Sequence, residues 1–108
     1  MPWVAVAKLA DMKDGDLVPV VVDGIEMVLG RDGNKLFAVQ RRCPHQNGDL
    51  ADGIVARGHL VCSNHGWRFG TQSGRHDHMA DVCLATYTVR VNGDAIEIDP
   101  SPRTIRGF

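Results

Sequence analysis

The 108-residue sequence has no charge excess, no long apolar run and no sustained helical period, and each absence removes a class of function. Twelve basic residues face 13 acidic ones, for a formal net charge of −1. Proteins that bind nucleic acid through bulk charge show a marked basic excess instead. Near the N-terminus the only apolar run is the five residues at 3–7, "WVAVA", followed by alternating polar residues. A secretory signal needs a longer apolar region behind a positive one, and a membrane span needs about 20 apolar residues. The expectation is a cytoplasmic protein that binds neither nucleic acid nor membrane. No Ser/His/Asp constellation, glycine-rich phosphate loop or paired-carboxylate motif is present, so no enzymatic activity of its own is expected. Cysteine is scarce too. Cys43, Cys62 and Cys83 cannot all pair within one chain, and in a reducing compartment spaced cysteines point to a metal site before a disulfide.

What the sequence does have is a series of short β segments separated by turn residues. "WVAVA" opens a strand, and Leu9 and Met12 are spaced for one helical turn before Gly15 breaks it. "LVPVVVDGIEMVLG" reads as two strands joined at Asp23-Gly24, a two-residue hairpin signal, with Pro19 marking an edge strand or a strand start. "NKLFAVQ" follows the turn at 31–34; then come "GIVARGHLVC", "WRF" and the alternating "LATYTVRV". Asn92-Gly93 is expected to turn the chain onto "DAIEIDP". Many short strands at regular spacing predict an all-β fold, a small antiparallel sandwich or barrel. A chain of this length makes one domain, expected at residues 1–100, burying roughly two-thirds of its unfolded surface. The end of the chain, "PSPRTIRGF", lacks periodicity, and 101–108 is expected to be a frayed or draped tail.

Two turn-rich segments share a composition. Cys43-Pro44-His45 lies in "RRCPHQNG", and Cys62-Ser63-Asn64-His65 lies in "CSNHGW". Sixteen residues separate His45 from Cys62, and that interval is itself strand-like. A hairpin of that length returns the chain to its start, so two thiols and two imidazoles can converge at one end of a sheet. Such donors select zinc or iron–sulfur chemistry over calcium or magnesium. Small zinc modules keep like ligands together on one knuckle, whereas here each loop supplies one cysteine and one histidine. A binuclear centre with two cysteines on one iron and two histidines on the other uses that alternation.

The pattern C-x-H-x16-C-x-x-H, with Gly66 after the last histidine, resembles the Rieske [2Fe–2S] family over roughly residues 35–98. "CPHQ", "HGWRF", Ser73-Gly74 and the closing L-x-x-Y-x-V-x-V-x-G carry the likeness, which is nearest to the ferredoxin components of multicomponent aromatic-ring dioxygenases and toluene-type monooxygenases. The resemblance implies a Rieske-type antiparallel β fold whose cluster-binding part, about 41–84, is made of two loops. It implies one [2Fe–2S] cluster per chain, with Cys43 and Cys62 on one iron and His45 and His65 on the other. It implies an electron carrier acting between an NAD(P)H-dependent flavoprotein reductase and a terminal oxygenase of aromatic hydrocarbon catabolism. Docking would be transient, at the His45/His65 end, and the carrier a monomer. Two alternatives stand beside it: a permanently bound small subunit of a larger reductase, such as assimilatory nitrite reductase, and a structural or protein-binding module whose site holds one zinc.

Departures from the family pattern carry further expectations. High-potential members cross-link the two loops through added cysteines; Gly48 and Asn64 occupy those places here. They also follow the last His-Gly with a serine that donates to a cluster sulfide, where this chain has Trp67. Fewer hydrogen bonds to sulfur imply a potential at the low end of the Rieske range, about −150 mV. The family's covering loop P-A-x-x-P-L corresponds to 79–84, with Met79 and Cys83 in the proline places. Cys83 is expected to be a buried structural thiol, His59 a surface strand position, and His76 and His78 parts of an exposed polar loop. Trp67 is expected to shield the cluster, and Gly48, Gly66 and Gly70 to allow close backbone approach.

Overall fold

The computed structural model describes residues 3–44, 48–63, 66–77, 79 and 82–104. Its strands are β1 (Val4–Lys8), β2 (Leu17–Val22), β3 (Ile25–Asp32), β4 (Lys35–Gln40), β5 (Ile54–Ala56), β6 (His59–Val61), β7 (Arg68–Gly70), β8 (Thr86–Asn92) and β9 (Ala95–Thr104). Single 3-10 turns at Leu9–Asp11 and Leu50–Asp52 are the helical elements among the described residues. None of these is long and apolar enough to cross a membrane. Six strands form one antiparallel sheet in the order β1-β9-β8-β4-β3-β2, and β5-β6-β7 form a second, smaller one. The end strands β1 and β2 approach each other, so the large sheet nearly closes into a barrel. Pro19 sits on the edge strand β2, where its missing N–H breaks no ladder.

Hairpin chemistry fixes the registers. Asp23-Gly24 joins β2 to β3 and Arg57-Gly58 joins β5 to β6; all four residues have positive φ, as a two-residue turn matched to strand twist requires. The β8–β9 reversal lies one residue beyond the Asn92-Gly93 expected from sequence. Asn92 pairs with Ala95, leaving Gly93-Asp94 as the turn with glycine, φ 66°, in first position. That is the alternative hairpin geometry, in which glycine comes first.

β3 and β4 are covered on both faces, and this positions the site. Side chains alternate along a strand. Met27, Leu29 and Ala38 therefore join the barrel interior with Val22, Ile96 and Ile98, while Val28, Phe37 and Val39 join a second core. Gly30 faces Phe37 across the ladder, and a Cβ on it would lie 2.2 Å from the Phe37 ring. The second core includes Leu50, Leu60, Phe69, Val82, Leu84 and two cysteines, so the small sheet and the segments around it pack on the outer face of β3–β4.

β9 runs further than the sequence suggests. The segment read as a tail continues as strand to Thr104, with Tyr87 opposite Pro102 and Thr86 opposite Thr104. β1 pairs β9 only over Ala95–Ile98, so the two prolines beyond lie where one edge of β9 is open and a missing N–H is harmless. Two register shifts, at Thr86/Tyr87 and Tyr87/Thr88, accommodate them. The Arg103 guanidinium donates to the Gln72 carbonyl and ties this end to the turn after β7.

Candidate metal centre

The two cysteine segments close in the same way. The Cys43 N–H donates to the Gly48 carbonyl at 2.7 Å, and the Cys62 N–H donates to the Trp67 carbonyl at 2.7 Å. Each cysteine thus closes a loop on the residue five positions later, and His45 and His65 lie inside those loops in sequence. Both histidines fall outside the described residues, as do Asn64, His78 and Asp81.

Cys43 and Cys62 are 0% and 1% exposed and belong to one apolar cluster with Leu50, Leu60, Phe69, Val82 and Leu84. A bare thiolate in such surroundings is strongly disfavoured unless a cation or metal compensates it. Two buried sulfurs, each at the mouth of its own closed loop, suit a soft metal group and suit an oxygen-ligated ion poorly. Trp67 is half-buried against the same cluster, its ring tilted on Phe69 with centroids 6.3 Å apart.

A polar frame holds the first loop to the barrel. Arg41 bonds Asp49 through Nε (3.2 Å) and a terminal guanidinium nitrogen (2.9 Å), and reaches Glu26 of β3 at 3.1 Å. Asp49 also caps the second 3-10 turn by accepting the Ala51 N–H at 3.0 Å. The Arg41 hydrogen bond holds the Asp49 carboxyl below its ordinary value, against the opposing effect of burial, and the same bond raises Arg41. The Gln40 side chain donates to the Arg42 carbonyl at 2.5 Å and accepts the Ala85 N–H at 2.8 Å, joining the loop to the entry of β8.

A third segment stands beside the second loop. Gly66, Trp67, Arg68, His76, Asp77 and Met79 line an open cleft of about 280 Å³. His76 was expected on an exposed polar loop, but its ring is half-buried, edge-on to Trp67 at 4.7 Å and to Phe69 at 5.5 Å. Neighbouring aromatic rings favour this arrangement. His59 is also more engaged than a surface strand position suggests: its Nε2 lies 3.5 Å from Asp77, which Arg68 approaches at 4.0 Å. Cys83 is half-buried and bridges to Arg75, in contrast to the buried thiol expected.

Of the three glycines singled out from sequence, Gly66 takes a left-handed φ of 69°, and Gly48 supplies the carbonyl that closes the first loop. A Cβ on Gly70 would meet Ser73 Oγ at 2.6 Å. Two close approaches to backbone atoms were not anticipated. A Cβ on Gly53 would stand 2.4 Å from the Val61 carbonyl oxygen, and one on Gly74 would stand 2.7 Å from that of Leu84. Both partners lie across a turn from the glycine and are not its neighbours in sequence, so no local signal marks them.

Comparison with known proteins agrees with this geometry. The family model for the Rieske [2Fe–2S] domain matches residues 2–88. The ferredoxin component of the alkene monooxygenase system of Xanthobacter autotrophicus is 30% identical, covering 93% of this chain and 83% of its own. The naphthalene 1,2-dioxygenase ferredoxin component of Pseudomonas aeruginosa is 29% identical, over 92% of this chain and 96% of its own. Among solved structures, the ferredoxin of carbazole 1,9a-dioxygenase from Nocardioides aromaticivorans superposes with a TM-score of 0.86 at 28% identity, covering 94% of this chain and all of that one. With two buried cysteines each closing its own loop, the chain belongs to the Rieske [2Fe–2S] family, as a ferredoxin that carries a Rieske-type cluster and transfers electrons without catalysing a reaction itself.

Proposed function

We propose that this protein is the ferredoxin component of an oxygenase system, accepting one electron at a time from an NAD(P)H-dependent flavoprotein reductase and passing it to a terminal oxygenase. Cys43 and Cys62 hold one iron of the cluster, and His45 and His65 hold the other. When bound, the cluster supplies reversible one-electron chemistry. The chain's own contribution is to bury the sulfur ligands, to close each loop through a cysteine N–H, and to exclude water with Trp67 and Phe69. The single observation that carries this reading is the paired closure of the two loops at buried cysteines of one apolar core. The names of the two ferredoxin-component relatives support the oxygenase circuit.

On this reading 1–100 is one Rieske domain with its cluster-binding part at about 41–84. The protein works in the cytoplasm as a monomer that meets each partner transiently at the His45/His65 end. The test is anaerobic dithionite titration of the iron-loaded protein with visible and paramagnetic-resonance detection. Uptake of one electron per chain, followed by complete reoxidation by a terminal oxygenase, is expected. A chain that takes up no electron, or that purifies only in a stable complex with a larger reductase, refutes the shuttle.

A further inference from the structure

His76 lies against Trp67 of the second cysteine loop, and Val82, six residues on, joins the core that holds Cys43 and Cys62. The 76–82 segment contains no proline to fix its backbone. Among the described residues, the Asp77 N–H donates to the Arg68 carbonyl of β7 at 2.9 Å, and His76 and Met79 take part in the bonds within the segment. The His76 N–H donates to the Val82 carbonyl at 2.9 Å, and the Val82 N–H donates to the Met79 carbonyl at 3.1 Å. The Met79 N–H donates to His76 Nδ1 at 3.1 Å. The imidazole therefore acts at the middle of the segment as well as at its start. Because Nδ1 accepts, a neutral His76 ring carries its proton on Nε2. The ring is held in turn by edge-on contacts to Trp67, in the second loop, and to Phe69 of β7.

We infer that His76 is a positioning residue: its ring, wedged against Trp67 and Phe69, uses Nδ1 to pin the Met79 amide and so holds Met79 and Val82 in place beside Trp67. Pinning keeps Val82 seated among the sulfur ligands and limits water near them. Water admitted to an iron–sulfur site stabilises its more negative, reduced state, so release of the segment raises the reduction potential. The effect on potential rests on the proposed cluster ligands; the pinning itself does not.

Two substitutions separate the ring from its acceptor. His76→Phe keeps an aromatic edge against Trp67 and Phe69 and removes Nδ1. His76→Asn removes the ring but keeps an acceptor on the atom bonded to Cγ. The readouts, on the iron-loaded protein, are deuterium uptake of the peptide covering 76–82 by mass spectrometry and the midpoint potential. His76→Phe is expected to speed exchange at the Met79 amide by about tenfold, the loss of one hydrogen bond, and to raise the potential. His76→Asn is expected to return both toward the parent. Unchanged exchange in His76→Phe overturns the inference, and if His76→Asn then exchanges fast, the ring contacts and not Nδ1 are the restraint; equally fast exchange in both variants overturns it too, because the retained acceptor restores nothing. Faster exchange with an unchanged potential overturns the link to the cluster. If His76→Phe does not fold, parent-like protection in His76→Asn is still required, and its loss is contrary. A protein with no iron but with the expected exchange pattern would sink the electron-carrier reading and leave the pinning intact.

Discussion

Gly53→Ala is a single-methyl change that tests whether the two cysteine segments are held by direct backbone contact. Gly53 ends the 3-10 turn Leu50–Asp52, which follows the first cysteine loop, and it faces Val61, the last residue of β6 before Cys62. Its φ of −81° is open to any residue, so the penalty is purely steric. The new Cβ would stand 2.4 Å from the Val61 carbonyl oxygen and 3.2 Å from that of Leu50, both backbone atoms that no rotamer change can move. Ordinary contact begins at 3.4 Å, so the turn and β6 must part by about 1 Å. Overpacking of this kind costs about 1–3 kcal/mol. In a domain of this size that lowers Tm by roughly 5–20 °C. Because the displaced elements lead from Cys43 and into Cys62, the visible and paramagnetic-resonance spectra of the bound cluster should change as well. Gly24→Ala is the control. It sits at a hairpin tip with φ 76° and nothing within 4 Å, so it costs about 1–2 kcal/mol of backbone strain and leaves the spectrum alone. The assay is thermal and urea denaturation followed at once by far-UV dichroism and visible absorption. A Gly53→Ala protein that melts within about 2 °C of the parent, with the parent's spectrum, would refute the reasoning.

Three other outcomes are expected. Asp49→Asn keeps the cap on Ala51 and loses the charge paired with Arg41, while Asp49→Ala loses the cap too and should cost about 1 kcal/mol more in urea denaturation. The folded state holds the Asp49 carboxyl below its ordinary 3.8, so this stabilisation is present above that value and is lost only as pH falls through the lower folded value. The stability gap between parent and Asp49→Asn should thus stay constant from pH 7 to about pH 4.5; a gap already fading at pH 6 contradicts the assignment. His45→Cys and His65→Cys should each disturb the Rieske paramagnetic-resonance signal and His59→Ala should not, whereas an unchanged signal in either of the first two would remove that histidine from the ligand set. Redox titration should place the midpoint near the low end of the Rieske range, about −150 mV, and a value well above zero would show that Trp67 in the serine place does not decide it.

The family pattern and the strand series were legible because both are written in short windows of sequence. Cys-x-His and Cys-x-x-His are local spacings, and alternation bounded by turns such as Asp23-Gly24 or 31–34 needs only neighbouring residues. What escaped was set by contacts across turns and loops and not by immediate neighbours. Gly53 and Gly74 are required by Val61 and Leu84, and His76 gained its role from Trp67 and Phe69. Pro100 and Pro102 suggested a frayed end, yet the open edge of β9 beyond Ile98 tolerates them. Gly93 turned the chain as the first member of Gly-Asp and not the second of Asn-Gly, a choice made by the register of β8 against β9. Cys83 looked like a core thiol beside a strand, but it is half-buried, in a backbone β-bridge opposite Arg75.

The central claim, a single Rieske cluster carried by Cys43, His45, Cys62 and His65, is tested most directly by metal and sulfide analysis joined to paramagnetic resonance of the reduced protein. Two irons and two acid-labile sulfides per chain are predicted, with a signal typical of mixed histidine and cysteine ligation. One zinc per chain in a colourless protein would contradict it, as would a cluster whose signal shows cysteine ligation alone.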